Sequence, residues 1–389
     1  MTRLSPRNLN DKTLGAACHL SILSYGISIT IIGPALLGIQ QTFCLSEASL
    51  GLFTTLLSVG LIASVFSGGI FIDRLSPRLV SIAGQVFLVL GLFLFSMAGV
   101  FPVALFSFLL MGIGGGFIEI ATNTLIANRH RGKRGAALNL LHAFFGIGAV
   151  MGPIVSGFII ERGEEWRLVY AISCIFSVGV LLLLFFSRFP DRVTSETIDL
   201  KRAAAFIKNP LMAMLALVTL FYVGSEMGIS YWSVLFLETY RGATKLVASS
   251  FLSYFWIAIT AGRFFCYALA HRIGERALLL LLSFFGFISY GVFLIDSSLV
   301  ASGISLFLVG LFFSGIFPTI LAIGINRFPQ SPGTTNGFLM TFMGGGLFIF
   351  PYLVGVIAEY SSLRIGMGAI FVFLFALASA TGVIRFSKN

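Results

Sequence analysis

The chain has 389 residues, of which 57% are hydrophobic and 10% charged, and it carries a formal net charge of +10. A soluble domain has roughly 45–50% apolar and about 25% charged residues, so a water-soluble globule is excluded and lipid must solvate much of the surface. The basic excess would suggest nucleic acid in a soluble protein; here its placement in loops explains it, and no nucleic-acid partner is expected.

A helix needs about 20 apolar residues to cross the hydrocarbon core. The first such segment, near 13–39, follows Arg3, Arg7 and Lys12. It is longer than the ~7–15-residue apolar stretch of a secretory signal and is read as a first span that stays. Further segments lie near 48–72, 78–99, 102–128, 135–160 and 167–187, then near 210–237, 246–270, 276–295, 299–325, 334–358 and 363–385. The one long charged connection is 187–209. This predicts an all-α polytopic membrane protein with a six-span half at 1–188, a central loop at 189–208 and a second half at 209–389. Cys18, Cys44, Cys174 and Cys266 are scattered, mostly in apolar runs, and read as packing residues.

With the N-terminus inside, the cytoplasmic loops and tails hold 19 of the 25 basic residues and the outer loops hold 5, while the acids show no such bias. Lysine and arginine in short loops set orientation, so both termini are expected in the cytoplasm, with some attraction to anionic membrane lipids.

An internal repeat supports the division. A shift of 198 residues places Gly112 on Gly310, Asn128 on Asn326, Arg129 on Arg327, Gly146 on Gly344, Gly148 on Gly346, Pro153 on Pro351, Gly157 on Gly355 and Glu161 on Glu359. One ungapped register thus runs from the second to the fifth span of each half. Six spans is an even number, so both copies enter the membrane from the same side and are related by an axis along its normal.

The loop after the second span reads GGIFIDRLSPR, with Gly69, Asp73, Arg74 and Arg78 in the pattern G-x-x-x-D-R-x-x-x-R. It resembles the signature loop of the major facilitator superfamily, which implies a twelve-helix fold of two pseudo-symmetric halves and a conformational latch that helps hold the outward-facing state. The second-half copy keeps Arg272 and Arg276, with His271 in place of the acid. In the fifth span Gly148, Gly152, Pro153 and Gly157 put small residues on one face, as close helix packing needs.

In the fourth span Glu119 and Asn123 share a face one turn apart. Glu119 lies about 13 Å from the cytoplasmic end at 1.5 Å rise per residue, where an ionised carboxylate is expensive and faces a cavity or partner. The alternatives are a proton carrier or a neutral acid hydrogen-bonded to Asn123. With FYVGSEMGISYW (Phe221–Trp232) in the seventh span, this resembles the fucose permease-like branch of sugar transporters, which implies proton coupling through the fourth-helix glutamate. The chain departs from that branch in having no aspartate in its first span.

Glu226 sits among Tyr222, Tyr231 and Trp232, whose rings offer a stacking face and a polar tip to a sugar. It is the second candidate proton carrier; the other reading is an interfacial aromatic belt. Tyr25 and Ser28 lie on a polar stripe of the first span with Ser21 and Ser24. Asn139 and His142 stand one turn inside the cytoplasmic surface. These residues, with Asn123, Tyr222, Trp232, Trp256 and Asn336, make the candidate substrate-binding set. Arg263 has three options: pairing with an acid, contacting substrate, or snorkelling to the cytoplasm.

No metal-ligand cluster, nucleophile elbow or phosphate loop is present in the sequence, so neither an enzyme nor a cofactor is expected. The expected function is proton-coupled symport of a small polar solute such as a monosaccharide, by a functional monomer in a bacterial inner membrane. The competing expectation is proton-driven export of lipophilic compounds or lipids, motivated by the glycine-proline fifth span and the 42 phenylalanines.

Overall fold

A computed structural model of the protein describes residues 12–74, 76–130, 133–190 and 200–383. The helices in chain order are α1 (Lys12–Thr30), α2 (Ile32–Phe43), α3 (Glu47–Arg74), α4 (Pro77–Ser96), α5 (Phe101–Arg129), α6 (Arg134–Glu161), α7 (Trp166–Phe186) and α8 (Leu200–Phe206). They continue with α9 (Pro210–Arg241), α10 (Lys245–Ile273), α11 (Glu275–Ile295), α12 (Leu299–Phe313), α13 (Ile316–Arg327), α14 (Pro332–Tyr360) and α15 (Leu363–Val383). There is no strand among the described residues. Twelve stretches are long and apolar enough to cross a bilayer. They fall where hydropathy places them, because hydrocarbon thickness sets their length.

Two of the twelve are broken. The first span divides at Ile31, three residues before Pro34, and the tenth divides at Ser314 and Gly315, just before Pro318. Proline lacks the N–H that would bond four residues back and its ring crowds that carbonyl, so the ladder is interrupted at Thr30 and at Ser314. The central loop holds the short helix α8, whose buried Phe206 packs against Phe328 and Phe338 with ring centroids 4.9 and 5.6 Å apart.

The chain forms two compact packing units. The first takes Met1–Ile31, Leu56–Gly152 and Glu164–Glu196. Its centre is α5, whose sequence GIGGG reads as a packing device. A β-carbon at Gly112 would fall on the Leu57 carbonyl of α3, one at Gly114 on α4, one at Gly115 on the Tyr25 ring of α1, and one at Gly116 on Ser64 of α3. Three neighbours thus close directly on the α5 backbone. Gly148 and Gly152 of α6 likewise lie against Leu23, Ile27 and Thr30 of α1. The buried Gln85 amide donates to the Ser177 carbonyl at 3.2 Å.

The second unit takes Ile32–Thr55, Pro153–Gly163 and Thr197–Asn389. Its centre is α9, flanked by α10, α14 and α15. Gly346 lies against the Leu220 carbonyl of α9, as its repeat partner Gly148 lies against α1. The unit also includes α2, the start of α3 and the end of α6. These lie toward one end of the unit, the distal end, which holds the 44–46, 242–244 and 361–362 turns. The cysteine reading needs one correction: Cys18, Cys174 and Cys266 are buried, but Cys44 is exposed. It ends the first span in a turn with φ 52°, where no packing partner is required.

Candidate proton and substrate site

The polar residues of the first unit cluster on α1 and α5. Because Gly115 has no side chain, the Tyr25 ring comes up against α5 one turn before Glu119, and the two groups are within electrostatic reach of one another. The Glu119 carboxyl has no hydrogen bond to any described residue. The Oδ1 of Asn123 is buried and has no partner, so a neutral acid tied to Asn123 is not what the fold shows. Two groups with hydrogen-bonding capacity thus stand on one face of α5.

In the rest of the first-span stripe Ser24 and Ser28 are bonded internally, while the Ser21 hydroxyl is buried without a partner. The Ser28 hydroxyl donates to the Ser24 carbonyl at 2.7 Å, and the Ser24 hydroxyl pairs with Ser177 at 2.6 Å. His19 is bonded to the Gly15 carbonyl at 2.6 Å, and its ring is tilted against that of Phe144 with centroids 4.7 Å apart. On α6, Asn139 is exposed and His142 is half-buried.

In the second unit, Tyr222 and Glu226 are buried on α9, and the Tyr222 hydroxyl donates to Glu226 Oε1 at 2.9 Å. Arg263 of α10 acts electrostatically on both, and its Nε is buried without a hydrogen-bond partner. Cys266, one turn along α10, pairs with Ser314 at the break in the tenth span, at 3.3 Å. Arg263 is therefore within electrostatic reach of Glu226, with no ion pair between them among the described residues. The residue is missing from the sequence-derived site because the carboxyl near it lies on a different helix, at a separation that no spacing rule covers.

The two tryptophans are both buried with their donors in use. Trp232 Nε1 donates to the Pro351 carbonyl at 2.9 Å, and Trp256 Nε1 to the Ser230 hydroxyl at 3.2 Å. The Tyr231 hydroxyl donates to the Leu50 carbonyl at 2.5 Å. These rings are therefore held in place, with Trp232 packed edge-on against Tyr231 and Trp256 against Phe255. On α14, Asn336 keeps a buried Oδ1 with no partner.

Of the expected latch residues, the side chains of Gly69, Asp73 and Arg74 lie outside the described set. Arg78 donates to the Phe185 carbonyl at 3.1 Å and lies over the Phe185 ring at 5.8 Å. Arg272 and Arg276 are exposed.

Glu119 in the first unit and Glu226 in the second thus each stand in a span helix, with amide or phenol groups nearby. A TsgA homologue from Buchnera aphidicola subsp. Baizongia pistaciae is 23% identical over 385 residues, covering 96% of this chain and 98% of that protein. Among solved structures, a mutant of the nucleoside transporter NupG superposes with a TM-score of 0.83 at 15% identity, covering 95% of this chain and 98% of that one. A D-xylose-proton symporter superposes with a TM-score of 0.75 at 15% identity, covering 97% and 98%. The family model described as Major Facilitator Superfamily matches residues 18–351. With twelve spans, a six-plus-six repeat and carboxyls set inside the membrane, the chain belongs to the major facilitator superfamily, and is a multi-pass membrane transporter and not an enzyme.

Proposed function

We propose that this transporter is secondary-active and works by alternating access as a proton-coupled symporter of a small polar solute, such as a monosaccharide. The observation that carries the reading is the pair of mid-span carboxyls, Glu119 and Glu226, one in each packing unit. A charge inside a bilayer is expensive, and such groups mark ion pathways and proton relays. Glu119, free of hydrogen bonds to described residues and beside Tyr25, is the coupling group. Glu226, held by Tyr222 and near Arg263, is the second. The unpartnered acceptors of Asn123 and Asn336 are the first-choice ligands for solute hydroxyls, with Tyr25, Ser28, Asn139, His142, Tyr222, Trp232 and Trp256 supplying the surrounding wall. The structural neighbours that carry the names nucleoside transporter and D-xylose-proton symporter support a polar solute.

In this reading 1–188 and 209–389 are the moving halves and 189–208 the cytoplasmic linker. Gly69, Asp73, Arg74, Arg78, Arg272 and Arg276 form the cytoplasmic latch. Both termini face the cytoplasm of a bacterial inner membrane, lipids surround the spans, and the monomer is the working unit. The test is solute-induced current in proteoliposomes, with a panel of monosaccharides and nucleosides at two pH values and Glu119→Gln alongside. A solute-dependent inward proton current that Glu119→Gln loses is the expected result. Silence across the panel from folded protein overturns the reading and turns attention to export of lipophilic compounds.

A further inference from the structure

At the distal end of the second packing unit, elements of the two halves meet through contacts that obey the 198-residue repeat. Glu161, the last residue of α6, accepts a hydrogen bond at Oε2 from the backbone N–H of Leu246, the second residue of α10, at 3.1 Å. Glu359, in the last turn of α14, accepts one at Oε2 from the N–H of Ala48, the second residue of α3, also at 3.1 Å. Shifting Glu161 and Ala48 by 198 gives Glu359 and Leu246. This is one contact used twice, running in opposite directions between the halves.

Its surroundings repeat in the same register. Ser46 Oγ accepts from the Ser49 amide at 3.3 Å, and its counterpart Thr244 Oγ1 from the Val247 amide at 3.4 Å. Gln40 donates to Glu47 at 3.4 Å where the other copy has the ion pair of Lys245 with Glu238 at 2.5 Å. Gly355 lets α14 approach the Glu47 carbonyl, and Gly157 lets α6 approach the Lys245 carbonyl.

The physical reason is the exposed positive end of a helix. Its first N–H groups have no partner within the helix, and the macrodipole favours negative charge there. In α3 and α10 the cap hydroxyl serves the third amide from its own chain segment. The second amide is served by a carboxylate from the other half. The second amide of each helix is therefore capped only while the halves touch.

We propose that Glu161 and Glu359 are the two hooks of a distal gate. They hold the halves together in the state closed on that side, and both caps must release for the side to open. The inference rests on the alternating-access reading and not on which solute is carried.

Ser249 is buried behind this seam against Gly157 and supplies the probe. In a Cys44→Ser, Ser249→Cys chain in liposomes, labelling by an impermeant maleimide reports how often the seam opens; the other cysteines are buried. Glu359→Ala removes the hook on α3, which does not touch Ser249. It is nonetheless expected to raise labelling about two- to five-fold, as loss of a helix-end charge contact allows, and Glu161→Ala/Glu359→Ala by more than either alone. Hydrogen exchange should likewise quicken at both 47–51 and 245–249 in each single variant. Both carboxylates are exposed, so their replacement leaves the core intact. If Glu359→Ala quickens exchange only at 47–51 and leaves Ser249→Cys labelling unchanged, the caps are local and the gate proposal falls. Neither measurement needs a solute, so its failure and that of the symport reading are separate results.

Discussion

Tyr222 gives its phenolic hydrogen to Glu226 one turn further along α9, at 2.9 Å, and both side chains are buried. The donor holds the carboxyl in one orientation, so the two should act as a unit. Tyr222→Phe and Glu226→Gln are each expected to lower solute uptake in proteoliposomes, and the double variant to lose less than the product of the separate losses. The coupling should be about 0.5–3 kcal/mol, the range for groups in one network. Independent, multiplicative losses would show that the bond has no part in transport.

The closure of α5 on its neighbours sets a stability prediction. A β-carbon at Gly115 meets the Tyr25 ring, whereas one at Gly179 on α7 meets nothing within 4 Å. Gly115→Ala should therefore destabilise the detergent-solubilised protein by about 1–3 kcal/mol, the usual effect of overpacking. Gly179→Ala should be neutral or slightly stabilising, since alanine loses less backbone entropy in a helix. Thermal unfolding of the two variants side by side decides it. Equal Tm values would mean that α1 is free to withdraw from α5.

What the sequence made legible follows from what lipid enforces. Span number and length were readable because an unpaired backbone group in hydrocarbon is costly, so each crossing must be a helix of fixed length. The breaks at Ile31 and at Ser314 were not read, although Pro34 and Pro318 signal them, because a hydropathy window averages over a bend inside an apolar run. Glu119 was legible from residue type and depth alone. Its approach to Tyr25 depends on Gly115, which a sequence shows only as one glycine in a run. The nearness of Arg263 to Glu226 was hidden for a different reason: long side chains have several destinations, and only the neighbouring helix selects one. The constant 198-residue shift was visible, yet the gate contacts of Ala48 and Leu246 use backbone amides, which carry no residue signature.

Spent and unspent polar atoms should separate binding from folding. Trp232 uses its donor on the Pro351 carbonyl, while Asn123 keeps a buried acceptor with no partner. Trp232→Phe is expected to cost about 1–3 kcal/mol of stability by orphaning a buried acceptor, with the KM for solute little changed. Asn123→Ala should leave Tm within a few degrees and raise KM several-fold. A stable Trp232→Phe chain with weakened binding would reverse the assignment, making the indole N–H a donor to the ligand.

The nearness of Arg263 to Glu226 makes a prediction about rescue, if the two act as a charge pair. Removing one member of a buried charge pair leaves the other uncompensated, at about 3–5 kcal/mol, whereas replacing both is often near neutral. Arg263→Gln and Glu226→Gln should each reduce folded yield and Tm, and the double variant should recover most of both. Uptake should not return, because the carboxyl that carries the proton is gone. Had Arg263 snorkelled to the cytoplasm, its replacement would be indifferent to residue 226 and the double variant would be no better than the worse single one. Folded yield by size-exclusion chromatography and Tm in the same detergent distinguish the two, since only a pair inside the membrane can restore stability while transport stays lost.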